Sequence, residues 1–133
     1  MNRLQLTFLL LVTAQAAHSI EEYAGHLYDV FLPARVVSTL ISLDARQGFI
    51  IFNVSLVLFG FICFFWLTHN RASATAVLWV WVAIELVNGI GHPTWSVFRG
   101  GYTPGVATAP VLFALAICLA RQLLTVESNT GRS

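Results

Sequence analysis

Two short stripes of polar residues carry the chemistry of this sequence. In Ala17-His18-Ser19-Ile20-Glu21-Glu22-Tyr23, a histidine is followed at three and four residues by carboxylates. On a helix both spacings bring side chains onto one face. Four residues beyond Glu22 comes His26. Glu85, Asn88 and His92 form a second stripe at spacings of three and four. Imidazole and carboxylate are groups that exchange protons in catalysis and that bind zinc, iron or manganese.

The elements that must position these stripes are apolar. The chain has 133 residues, 57% hydrophobic and 10% charged, where a soluble domain carries about 25% charge. That balance predicts an integral membrane protein of one domain, residues 1–133. All seven basic residues are arginines, and the net charge of +1 gives no basic footprint for nucleic acid. Cys63 and Cys118 lie within apolar runs and read as buried free thiols.

Four runs approach the roughly 20 residues that span a bilayer: about 4–23, 49–68, 74–92 and 106–124. Arg3, the run Leu4 to Val12, and Ala14-Gln15-Ala16 also fit a secretory signal. Cleavage after Ala16 would strip His18 of the helix that aims it, so the expectation is a retained first crossing. After Pro33, Val36, Val37, Leu40 and Leu43 share a face opposite Arg35, Ser42 and Arg46. That predicts a short interfacial helix between the first and second crossings. Phe64-Phe65-Trp66 marks a membrane interface, and His69-Asn70-Arg71 reads as a polar turn. Trp79 and Trp81 read as packing residues. Pro93 is expected to end the third helix, Trp95 to Thr103 to form a loop, and Pro104 to start the fourth helix. Pro110 is expected to kink that helix. Residues 125–133 read as a polar tail, disordered from Glu127.

The predicted fold is therefore all-α: an integral membrane four-helix bundle, up-down-up-down. The first and third helices then run in the same direction. At 1.5 Å per residue, His18 lies about 21 Å into the first helix, and Glu85 and His92 about 16 and 27 Å into the third. Asn53 and Tyr102 fall toward the same side. Polar groups from four segments converge near one membrane face. Arg3, Arg71, Arg121 and Arg132 lie on the side of the termini, against Arg35, Arg46 and Arg99 on the other. That bias favours a multi-pass protein of the cell membrane with both termini cytoplasmic.

At these residues the sequence resembles the HXXEE family of small bacterial membrane proteins. His18-Ser19-Ile20-Glu21-Glu22 matches the name-giving motif. Asn88 with His92 matches its later asparagine-histidine pair, and Tyr102-Thr103-Pro104-Gly105 its Tyr-x-Pro-Gly motif. The resemblance implies that the first run is kept as a helix. It implies no particular reaction.

Three chemistries fit the residues. The first is a divalent metal site (zinc, iron or manganese) with His18, Glu22 and His92 as ligands and Glu21, Glu85 and His26 as alternates, activating water in a hydrolase-like enzyme. Inverted zinc-protease signatures differ in carrying a second histidine where this chain has Glu22. The second is metal-free acid-base catalysis, such as isomerisation, on a lipid-like or small-molecule substrate. Glu21, Glu22 and Glu85 would be its acids and bases. Asn88, Asn53 and Tyr102 form the supporting polar shell in both. The third is a proton-relaying binding or transport protein, for which four helices favour a homo-oligomer. Against all three stands plain helix-to-helix bonding, worth only about 0.6 to 2 kcal/mol per bond in lipid. The expected partners are membrane lipids and the substrate.

Overall fold

The computed structural model describes residues 1–69 and 71–130. They form six helices, with no strand among the described residues: α1 (Arg3–Ala24), α2 (Leu27–Val30), α3 (Leu32–Ile41), α4 (Ala45–His69), α5 (Arg71–Arg99) and α6 (Ala109–Thr130). Asn2 caps α1 reciprocally. Its side chain accepts from the Gln5 N–H, and the Gln5 side chain accepts from the Asn2 N–H, both at 2.9 Å. The helix stops at Gly25, whose N–H donates to Glu21 O at 2.9 Å.

Among the described residues, three helices are long and apolar enough to cross a membrane: α4, α5 from Ala74 and α6 to Ser128. The sequence predicts four. The 22-residue α1 has the length, but Gln5, Gln15, His18, Ser19 and Glu22 dilute its apolar character. All five are buried, while Leu6, Leu10 and Ile20 face outward. The polarity of α1 thus sits on its inner face. α4 keeps Ile62, Phe65 and Trp66 outward, and α5 keeps Val80, Val87 and Ile90 outward.

α1 packs against α4 and α6, and α5 packs against the same two helices. Contacts along α1 order the ends. Phe8 meets Trp81 edge to face at 5.9 Å, and ten residues on His18 meets His92 at 4.7 Å. Thr7 bonds Gln122, whereas His18 bonds Thr108. Ser19 donates to Asn53 at 2.7 Å, whereas Val12 lies against Gly60. One end of the interior is apolar, built on Phe8, Leu11, Leu67, Leu78, Trp81 and Leu119. The polar stripes fill the other end. Leu27, Tyr28 and Phe49, with Phe31 and Trp95, form a smaller apolar cluster beside it.

Several local expectations need correction. α5 does not end at His92 but runs through Pro93 to Arg99. Proline removes one backbone donor. Beyond it the helix is held by tertiary packing: Trp95 packs against Phe31, ring centroids 4.6 Å apart and planes tilted by 42°. Pro104 lies in the turns before α6, which starts at Ala109 rather than 106. Pro110 falls in the first turn of α6, where a missing N–H costs nothing, so it starts the helix instead of kinking it. α6 also continues to Thr130, and Trp79 Nε1 donates to Glu127 at 3.0 Å. The expected disordered tail is thus helical as far as it is described. Residues 131–133 and the turn residue Asn70 lie outside the described residues. Cys63 is buried as expected, but Cys118 faces outward.

The expected interfacial helix is α3, with Pro33 in its first turn. Its apolar residues Val36 and Leu40 point away from the protein, Val37 is only partly exposed, and Ser38 is buried against α4. An apolar face turned outward is the arrangement of a helix lying at a lipid surface.

Candidate functional site

Helix periodicity splits the two adjacent carboxylates. Successive residues turn by about 100°, so Glu22 stays near the azimuth of His18 while Glu21 swings toward α6. Glu22 Oε1 lies 3.3 Å from His18 Nε2 and 3.1 Å from His92 Nε2. His18, Glu22 and His92 are all buried, and one ligand atom from each lies within 4.8 Å of the others. The contact of His18 Nε2 with Glu22 is off the line of a hydrogen bond, and that nitrogen has no other partner.

The far side of each imidazole fixes its tautomer. His92 Nδ1 lies 2.7 Å from the Pro104 carbonyl, which can only accept, so Nδ1 carries a proton. Thr108 Oγ1 donates to Glu21 Oε2 at 2.6 Å. With its one proton committed there, Thr108 accepts from His18 Nδ1 at 2.7 Å. Both rings therefore donate from Nδ1 and turn Nε2 toward the Glu22 carboxylate. In neutral rings, three acceptors converge on one point. Such convergence calls for a cation, a metal ion or an added proton. An Nδ1–H held by a carbonyl or hydroxyl is also the usual outer support of a metal-binding histidine.

His18, Glu22 and His92 could hold a metal ion, and the two spacings to Glu22 suit a small divalent one. Ligands about 2.05 Å from zinc at tetrahedral angles stand about 3.3 Å apart. The two contacts of Glu22 Oε1 are 3.1 and 3.3 Å. Two histidines and one carboxylate leave a further position open.

Glu21 has a different part. Its carboxylate accepts from Tyr102 Oη (2.9 Å), Ala107 N (3.0 Å), and Thr108 N (2.9 Å) and Oγ1. It clamps the turns before α6 to the end of α1. Tyr102 is exposed and acts through Glu21; partial burial, then this bond, raise its phenol above the ordinary tyrosine value. His26 is not brought to the site. α1 ends before it, and His26 takes a left-handed conformation with φ 56°. Its exposed ring bonds Tyr28 Oη at 2.8 Å.

Glu85 is fully buried one level deeper. Asn88 Nδ2 donates to it at 3.2 Å. The Gln15 amide also faces it, and with its O and N exchanged it donates to both carboxylate oxygens at 3.0 and 3.1 Å. Asn53 accepts from Ser19 and donates to Phe49 O at 3.1 Å. Asn53 and Asn88 thus flank the cluster without reaching its ligand atoms.

Four residues beyond the sequence reading build the site: Gln15, Ser19, Thr108 and Gly105. Gln15 continues the α1 stripe backward by one turn from His18, and Ser19 lies four residues after Gln15; that spacing could have revealed them. Gly105 has φ +91°, and a Cβ there would stand 2.5 Å from His92 Nδ1 and 2.8 Å from His18 Cε1. Only glycine lets this turn pass behind both rings. No spacing rule in the sequence announces that contact.

Comparison with known families gives one match. The family described as "Protein of unknown function with HXXEE motif" matches residues 9–120. No curated protein matches, and no solved structure matches.

Proposed function

The chain belongs to the HXXEE family, and from that premise we propose a membrane-embedded, metal-dependent enzyme of hydrolase type. His18, Glu22 and His92 hold one divalent ion, with zinc the best fit to the ligand spacing and iron or manganese also suited to the donor set. The observation that carries this reading is the pair of imidazoles, each donating from Nδ1 and turning Nε2 toward one carboxylate. The ion supplies Lewis acidity to a carbonyl and makes water a nucleophile near neutral pH. Glu21, with Tyr102 and Thr108, positions His18, and Glu85 with Asn88 supports the inner side.

In this reading α1 is the fourth crossing of an up-down-up-down bundle, multi-pass in the cell membrane with cytoplasmic termini. Its polar face is turned inward, so what it shows to lipid is apolar. Metal analysis of detergent-purified protein tests the proposal. One equivalent of a divalent metal is expected in the wild type and none in Glu22→Ala. Wild-type protein that carries no metal, and gains no stability from added zinc or manganese, would refute it.

A second reading, metal-free acid-base chemistry, draws on Glu85. A carboxylate buried among amides is a costly arrangement in a membrane core and marks a functional group by default. Activity that survives exhaustive chelation but fails in Glu85→Gln would favour it.

A further inference from the structure

Glu22 and His92 form part of the wall of a cavity of about 340 Å³. That volume lies within the range of small-molecule sites, about 300 to 1,000 Å³. Its polar lining comes from Gln15 and Glu22 of α1, Asn88 and His92 of α5, Asn53 of α4 and Ser38 of α3. Val37 of α3, with Phe52 and Leu56 of α4, supplies much of the apolar lining. Val37 and Phe52 are 39% and 43% exposed on the outer surface. Exposed apolar neighbours, Val36 and Leu40 of α3 and Ile51 of α4, flank them, so the mouth opens toward hydrocarbon rather than water. A larger groove of about 470 Å³ between α1 and α4 contains none of the three clustered residues.

We propose that this cavity takes the single hydrocarbon chain of a membrane amphiphile and presents an ester or amide carbonyl to Glu22 and His92. The place of Glu22 and His92 in the lining fixes which end goes where. The small volume of about 340 Å³ favours one chain over two. α3 forms the outer wall, and its seat is tight. Ser38 Oγ donates to Ala34 O at 2.7 Å. A Cβ on Gly48 would stand 2.0 Å from Ser38 O, so α3 rests directly on the α4 backbone. The chain therefore lies between a surface helix and the bundle.

The choice of an ester or amide rests on the metal-dependent hydrolase reading; the chain-binding cavity does not. In the reaction the oxygen of water bonds to the acyl carbon and the bond from that carbon to the leaving oxygen or nitrogen breaks. One proton of water goes to the leaving group and the other stays with the acid. No oxidant or reductant is needed.

The test uses full-length protein in detergent, with and without added zinc. The probe is a dodecanoate ester carrying a fluorophore on its alcohol part. The competitors are methyl dodecanoate and a two-chain phosphatidylcholine. Saturable binding is expected, displaced by methyl dodecanoate and at least tenfold less well by the two-chain lipid. Val37→Trp and Leu56→Trp fill the cavity from different helices without touching the clustered residues. Each is expected to weaken probe binding at least tenfold while leaving zinc-induced thermal stabilisation unchanged. Two variants on separate helices guard against misfolding of one, since retained zinc stabilisation reports a folded site. Equal binding by wild type and both variants, or equal competition by the two-chain lipid, overturns the inference. Probe binding without any metal effect overturns the hydrolase reading and leaves the cavity assignment standing. Metal binding without probe binding does the reverse.

Discussion

His18 and His92 meet edge to face, with ring centroids 4.7 Å apart and planes at 85°, and both present Nε2 to Glu22 Oε1. They come from helices 74 positions apart in sequence. Perpendicular rings around a shared carboxylate can direct two lone pairs at one ion without stacking. Four expectations follow from this arrangement and the shell behind it.

The three clustered residues should act as a unit. Glu22→Gln and His92→Ala, alone and combined, should each abolish most of the thermal stabilisation produced by zinc. The double variant should lose little more than either single one, because a buried set missing one member is already broken. Losses that add in full would show two separate features.

Gly105→Ala should be disruptive far beyond its size. Positive φ and a Cβ within 3 Å of both rings act together. A strained backbone costs about 1–3 kcal/mol, and the displaced rings should lose metal-induced stabilisation. Gly101→Ala is the control, since nothing lies within 4 Å of its Cβ. Equal melting temperatures for the two variants would contradict the assigned contact.

Thr108 joins Glu21 to His18 through one hydroxyl. Thr108→Ser should keep both bonds and bind zinc as the wild type does. Thr108→Val should leave partners unpaired at a cost of about 1–3 kcal/mol and weaken zinc binding. Isothermal titration with zinc on both variants decides it. Matched affinities would mean that the hydroxyl does not hold the ring.

Topology can be read by cysteine labelling in protein with Cys63 and Cys118 replaced by alanine. Cysteines at Ser42 and Arg99 should label from one side of the membrane, and those at His69 and Ser128 from the other. Labelling of Ser42 and His69 positions from one side would break the alternating order. Intact mass of the extracted protein should include α1, and a mature start at Ala17 or His18 would remove the site.

Much of the site was legible because depth along parallel helices is simple arithmetic. The rise per residue puts His18 between Glu85 and His92; the structure sets it level with His92, ring to ring, and leaves Glu85 deeper, beside Gln15 and Asn88. His26 misled because periodicity assumes a helix that Gly25 ends. Glu21 misled because its neighbour shares its chemistry but not its azimuth. The length of α5 past Pro93 was hidden because packing of Trp95 on Phe31 outweighs a local breaker. Gly105 and Thr108 were hidden because their roles exist only once distant segments meet.

The Glu21 clamp has a consequence for biosynthesis. Every group it accepts from lies 81 to 87 residues later in the chain, and His18 finds Thr108 90 residues on. The first helix thus leaves the ribosome with only contacts inside α1, such as that of His18 with Glu22, available to its polar face. Until the segment from Tyr102 to Thr108 is in place, Glu21 and the Nδ1 side of His18 must be shielded by water, by the insertion machinery or by neighbouring chains. Such late closure of long-range contacts is slow and exposes sticky intermediates. A chain shortened before Thr108 should therefore be recognised as unfinished and degraded, whatever the apolarity of the helices it retains.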